Sequence, residues 1–181
     1  MTSPERDRLI RCGWIDESRL SAPDFALYRD YHDTEWGRPL RDSAALFERI
    51  SLEAFQSGLS WLIILRKREN FRVAFDGFDV ERVARYTERD VERLMADTGI
   101  VRNRAKIEAT ASNARAAADL ADTGVDLAEL LWSFAPSDRA TRPRPGDLSA
   151  VAAVTAESTA MAKELKRRGF RFVGPTTAYA L

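Results

Sequence analysis

Apolar residues recur at three- and four-residue intervals along almost the whole chain, and no convincing run of alternating apolar and polar positions interrupts them. The pattern predicts an all-α protein. Pro23 and Asp24 open a first helical segment, with Phe25, Leu27, Tyr28 and Tyr31 on neighbouring faces, and it ends before Gly37-Arg-Pro39. Asp42 suits the N-cap of a second helix, in which Leu46, Phe47, Ile50, Ala54 and Phe55 repeat until Gly58. Ser60 is placed to cap a third helix, from Trp61 through Leu65 to Phe71 and Phe75. Asp79 can start a short helix to Tyr86, and Thr87-Glu-Arg-Asp90 resembles a capping box for a segment closed by Gly99. A long Ala-rich helix is expected over 102–121 and another over 127–134. Residues 135–146, with Pro136, Pro143 and Pro145, read as a loop; a helix over 161–168 follows, stopped by Gly169.

Length and composition narrow the class. With 181 residues, 45% hydrophobic and 31% charged, the chain can bury a proper core and is expected to form one helical domain over 1–181. It has no apolar run long enough to span a bilayer, and MTSPERDRLIRC has no apolar signal core, so the expected location is cytoplasmic, with no membrane partner. Lys+Arg and Asp+Glu both number 28. This balance excludes a general coat of positive charge, though not a local basic face of the kind that contacts phosphates. Cys12 is the single cysteine, so no internal disulfide can form.

Three stretches concentrate chemistry. YHDTEWGRP at 31–39 brings a tyrosine, the single histidine, two carboxylates and a tryptophan together before a glycine. It fits either a helix end or one wall of a site for an aromatic, cationic molecule. In LEAFQSGLSW at 52–61, Glu53 lies among apolar neighbours, so its carboxylate is either exposed between buried stripes or turned into a pocket. Leu59 follows Gly58 at a tight loop, as a core residue or as a wedge between bases. Finally, Lys166-Arg167-Arg168 runs into GFRFVGPTTAYAL, a turn bounded by Gly169 and Gly174 with Pro175 at a helix start. This is either a packed helix corner or a grip on one DNA phosphate.

Taken together, RCGW at 11–14, YHDTEWGRP at 31–39, LFERISLEAFQSGLSWLIILRKRENFR at 46–72, DTGIVRNRAKIEATASNAR at 97–115 and KRRGFRFVGPTT at 166–177 resemble the 3-methyladenine DNA glycosylase I family. The likeness runs from about Arg11 to the last residue. It implies a helix-hairpin-helix repair fold with GFRFVG as the hairpin, and an enzyme that flips out and hydrolytically releases N3-methyladenine. The implied partners are alkylated double-stranded DNA and free 3-methyladenine as product, with the protein a monomer.

The resemblance also implies roles. Glu53 would be the recognition and catalytic carboxylate, Trp61 the stacking platform, and Tyr31 a hydrogen-bonding group at the base edge. Trp36 and Tyr28 would line or support the pocket. Leu59, Lys166, Arg167, Arg168, Gly169 and Gly174 would meet the DNA. The family further implies a structural zinc held by a Cys and a His near each end of the chain. Cys12 and His32 match the first pair, but the chain has no other Cys or His. A structural zinc site wants four ligands, so these 181 residues are expected to hold none tightly. Pro175 to Leu181 allows about two helical turns, so the C-terminal end of the family fold is expected to be missing, with a marginal last helix.

Overall fold

The computed structural model of the chain describes residues 11–137 and 151–181, so the predicted loop positions Pro143, Pro145 and Gly146 lie outside it. The described residues are all-helical: α1 (Ala22–Thr34), α2 (Ser43–Gln56), α3 (Trp61–Ala74), α4 (Val80–Ala84), α5 (Glu88–Ala96), α6 (Arg104–Asp122), α7 (Leu127–Trp132), α8 (Ala156–Arg167) and α9 (Pro175–Tyr179). By compactness the described residues divide into two units, 11–39 with 151–152, and 40–137 with 153–181.

Helix starts follow local chemistry. Asp42 accepts a hydrogen bond from the Ala45 N–H (2.8 Å), and Asp79 accepts one from the Arg82 N–H (2.9 Å), so each satisfies an otherwise orphaned donor. Thr87 and Asp90 form the predicted capping box. Ser60 stands at the N-cap of α3, but its side chain makes no capping hydrogen bond. Helix α8 begins at Ala156, well before the expected Met161, because Thr155 and Ser158 cap each other's backbone there. A 3₁₀ turn over Asp76–Phe78, absent from the sequence pattern, links α3 to α4. It places Asp76, Gly77 and Phe78 at positive φ, and the reward is complete burial of Phe78.

The larger unit is organised around aromatic packing. Phe47, Phe55, Phe71, Phe75 and Phe78 are fully buried, with Phe55 and Phe71 ring centroids 4.7 Å apart and Phe75 and Phe78 stacked at 5.5 Å. Truncating any one of them to alanine would cost about 3–5 kcal/mol, from lost transfer energy and the cavity left behind. Helix α2 threads this core and touches α3, α6, α7 and α9. Because it has neighbours on several sides, Leu46, Phe47, Ile50, Ser51, Leu52, Glu53, Ala54 and Phe55 are all buried. Six consecutive buried residues, Ile50 to Phe55, bring a carboxylate inside.

In the smaller unit, α1 starts at the Ser21 N-cap with Pro23 in its first turn. It ends as Glu35 and Trp36 both donate backbone N–H to the Tyr31 carbonyl (2.8 and 2.9 Å), and Gly37 then adopts φ +71°. That left-handed residue turns the chain where a side chain would be strained.

Candidate functional site

Glu53 answers the question its sequence context left open. It is 8% exposed, on the buried face of α2, and among the described residues no hydrogen bond to its carboxylate is formed. Burial raises its pKa to about 7, opposed only in part by the positive charge of Arg49 one turn earlier. Near neutral pH this carboxylate is therefore poised between its two forms. Such a group is under-solvated and attracts any cation or hydrogen-bond donor that can reach it.

Arg49 ties this carboxylate to the next helix. Its guanidinium lies 5.8 Å from the ring centroid of Trp61, the first residue of α3, which packs partly buried against the core. Sequence reasoning passed over Arg49, although its four-residue spacing from Glu53 places both on one helix face. Between α2 and α3 the chain turns through Ser57, Gly58 and Leu59. Gly58 has φ +83°, the Leu59 N–H donates to the Gln56 carbonyl (2.6 Å), and Gln56 Nε2 donates to the Leu59 carbonyl (2.8 Å). Leu59 itself is half-buried against the core. An apolar cavity of about 290 Å³ also opens in this unit, between Leu46, Leu131, Trp132, Met161 and Tyr179; none of the predicted site residues lines it.

The second cluster lies at the α8–α9 turn. Gly169 (φ +93°) stops α8, and Phe170 and Val173 are buried beneath the turn. Phe172 holds φ +57° and is 40% exposed. Lys166, Gly169, Arg171, Phe172 and Gly174 surround a shallow depression of about 570 Å³. Two of the predicted phosphate-binding side chains are already engaged. Arg167 donates to both Glu164 oxygens (2.7 and 2.6 Å), and Arg168 Nε donates to Oε1 (2.6 Å). These hydrogen bonds hold the Glu164 carboxyl down at about 2, so it keeps its charge at any physiological pH. The Arg171 side chain, which the sequence pattern did not single out, is exposed beside the depression.

The smaller unit gathers the aromatic residues of YHDTEWGRP. Trp14 is their hub, with ring centroids 4.9 Å from Tyr28, 6.4 Å from Tyr31, 5.5 Å from His32 and 6.0 Å from Trp36. The His32 ring stacks on Trp36 at 5.4 Å, and Trp36 is 40% exposed while Tyr31 is buried. Trp14, which the sequence pattern did not single out, stands two residues after Cys12 in RCGW. Below the rings Asp33 is gripped by Arg11 (2.6 and 2.9 Å) and contacts His32 Nδ1 (3.0 Å), and the Arg11 hydrogen bonds lower its pKa to about 2.

The zinc that the family resemblance implies finds two of its four ligands in this sequence. Cys12 and His32 are two donors where four are wanted, and the neighbouring Asp33 is committed to Arg11. Among the described residues no group of three or more His, Cys, Asp or Glu side chains converges as metal ligands would.

A family description decides what the geometry leaves general. The methyladenine glycosylase family pattern matches residues 22–181. The chain belongs to the methyladenine glycosylase family. Among its relatives, DNA-3-methyladenine glycosylase 1 of Escherichia coli (strain K12) is 44% identical over 170 residues, covering 94% of this chain and 87% of that protein. A solved structure of 3-methyladenine DNA glycosylase I superposes with a TM-score of 0.83 at 44% identity, over 94% of this chain and 90% of the other. The Staphylococcus aureus 3-methyladenine DNA glycosylase I, solved to explain 3-methyladenine recognition, is 36% identical with a TM-score of 0.76, over 89% and 84% of the two chains.

Proposed function

We propose that this chain is a DNA glycosylase of base-excision repair that flips N3-methyladenine out of alkylated duplex DNA and hydrolyses its glycosidic bond. The observation that carries the reading is Glu53, an under-solvated carboxylate within a helix core. Adenine methylated at N3 carries positive charge, so a buried anion selects it over neutral adenine. Glu53 accepts hydrogen bonds from the amino edge of the base, and Trp61 offers its ring as the stacking platform.

The chemistry asks little of the protein beyond this selection. As the bond from C1′ to the base breaks, its electron pair moves to the cationic base, which departs as neutral 3-methyladenine. Water adds its oxygen to the oxocarbenium-like C1′ and gives up a proton. No acid is required at the leaving group, so Glu53 acts through charge. Occupying the site with the ionised form is the protein's contribution to discrimination, because an unmodified base has a stronger bond and gains less from the carboxylate.

The α8–α9 turn serves as the hairpin of a helix-hairpin-helix element. Gly169 and Gly174 let the backbone approach the DNA, Lys166 and Arg171 supply charge, and Leu59 enters the stack as the base leaves it. Arg167 and Arg168 contribute only as far as phosphate competes with Glu164. The protein works as a monomer on DNA in the cytoplasm; among the described residues no helix is long and apolar enough to cross a membrane. Zinc has no part in this reading. Elemental analysis of the purified 181-residue chain should find well under one zinc per molecule, and stoichiometric metal would show that other groups complete the Cys12–His32 pair.

The direct test is release of base from methylated duplex DNA, followed by chromatography. The wild-type chain should liberate 3-methyladenine, and Glu53→Gln should do so far more slowly. Tight binding of free 3-methyladenine without release from DNA would instead make the chain a damage-binding protein.

A further inference from the structure

We propose that helix α6 is a strut that sets the two DNA-meeting loops, with Lys106 and Asn113 as positioning residues for the excision reaction. The inference rests on the proposed glycosylase function and assigns to α6 a part in it.

Both side chains are buried, polar and spent entirely on the backbone of a loop far away in sequence. Lys106 is 7% exposed, and its Nζ donates to the carbonyls of Phe55 (2.9 Å) and Ser57 (2.6 Å). Those carbonyls lie at the C-terminal end of α2, where they have no partner within the helix and where the helix dipole favours a cation. The two bonds fix the exit of α2 just before Gly58 and Leu59. Burial pushes the Lys106 ammonium below its usual range, a cost that its two carbonyl bonds offset.

Asn113 is 1% exposed and makes a closed pair with Arg171. Its Oδ1 accepts the Arg171 N–H (2.7 Å), and its Nδ2 donates to the Arg171 carbonyl (3.0 Å). Both main-chain groups of the residue at the middle of the turn are thereby used, which fixes the turn next to the strained Phe172. The Arg171 side chain stays exposed.

Lys106 and Asn113 are seven residues apart, two turns of one helix, and so stand on one face roughly 10 Å apart. Thr110 lies between them, buried, with its hydroxyl bonded back to the Lys106 carbonyl (3.0 Å). A helix is stiff over two turns. The spacing between the Leu59 loop and the Arg171 turn is therefore set by α6 rather than by either loop. Insertion of a wedge at a fixed distance from a gripped phosphate needs such a spacer, because a misplacement of about 1 Å can cost a hundredfold in rate.

The experiment measures duplex affinity and single-turnover excision of 3-methyladenine for wild type, Lys106→Met and Asn113→Ala, with free 3-methyladenine binding as control. Lys106→Met should slow excision at saturating enzyme about tenfold or more while duplex Kd stays within about twofold. Asn113→Ala should weaken duplex binding about tenfold and lower its salt slope by about one phosphate contact. Free-base affinity should stay within about twofold in both. Thermal destabilisation with both DNA parameters unchanged, or a collapse of free-base binding, would overturn the proposal and leave the two residues merely structural. If either variant fails to fold, Lys106→Arg and Asn113→Asp, which keep part of each hydrogen-bond set, must show the same division in milder form. Absence of that division also overturns it. Wild-type protein that binds duplex DNA but releases no base would refute the glycosylase reading, while the Asn113 affinity result would still decide the strut.

Discussion

Glu53 and the Glu164–Arg167–Arg168 cluster handle charge in opposite ways. Glu53 is buried, and the charge of Arg49 does not offset desolvation, so its pKa climbs to about 7. Glu164 sits at the surface of α8 with two arginines folded onto it, so its pKa falls to about 2. One carboxylate lacks partners and is costly to ionise; the other has more partners than it needs. A site that must select a cation is built from the first kind, since the incoming charge supplies the missing compensation. The second kind tunes a surface, and any ligand has to displace what is already there.

The sharpest way to break this contrast is to neutralise Glu53. Glu53→Gln should lower excision of 3-methyladenine by about 10²–10³-fold, the range for removing one preorganised electrostatic group from an active site. Retained excision in a radiolabelled-base assay would sink the role assigned to Glu53. The same substitution should stabilise the protein. The folded-state pKa is raised from 4.5 to about 7, so the folded state binds more protons than the unfolded chain between those values. The contribution of Glu53 to stability is therefore fully present below pH 4.5 and lost as pH rises towards 7, by about 3 kcal/mol in total. Urea unfolding should show this decline in wild type and a flat profile in Glu53→Gln over the same interval. A variant less stable than wild type at pH 8 would mean the ionised carboxylate is well compensated after all.

Trp61→Ala should weaken free 3-methyladenine binding by about 1–3 kcal/mol, the usual value of one stacking platform. Unchanged affinity by calorimetry would assign Trp61 to packing alone. The smallest effects belong to the surface cluster. Arg167→Ala and Arg168→Ala should each weaken duplex binding by only a few-fold at low salt, whereas Glu164→Gln should strengthen it, because both arginines are then released to phosphate. Weaker binding by Glu164→Gln in a salt-titrated anisotropy measurement would show that the pairing positions the arginines rather than restraining them.

The helices were legible because their signals are local. Asp42, Asp79 and the Thr87–Asp90 box each sit within one turn of what they cap. The start of α8 was missed because Ser158 replaces the longer acidic partner that marks a familiar box. The Asp76–Phe78 turn was missed because three successive positive φ values are repaid only by long-range burial of Phe78. For Glu53 and Trp61, residue type and family likeness made them candidates, but only the folded chain shows the Glu53 carboxylate buried rather than exposed. Lys106 and Asn113 read as ordinary polar positions on an Ala-rich helix. Their partners lie 49 to 58 residues away along the chain, beyond the reach of any periodicity.

The central claim is that ionised Glu53 selects a cationic base, and the pH dependence of kcat/KM on methylated duplex DNA tests it most directly, because that parameter reports the free enzyme. The lesion keeps its positive charge throughout, so the titrating group is on the protein. For wild type the account predicts an acidic limb in which kcat/KM rises with pH and levels off above about 7, and for Glu53→Gln a low profile without that limb. An unchanged limb in Glu53→Gln, or a wild-type profile flat through pH 7 with Glu53→Gln equally active, would contradict it.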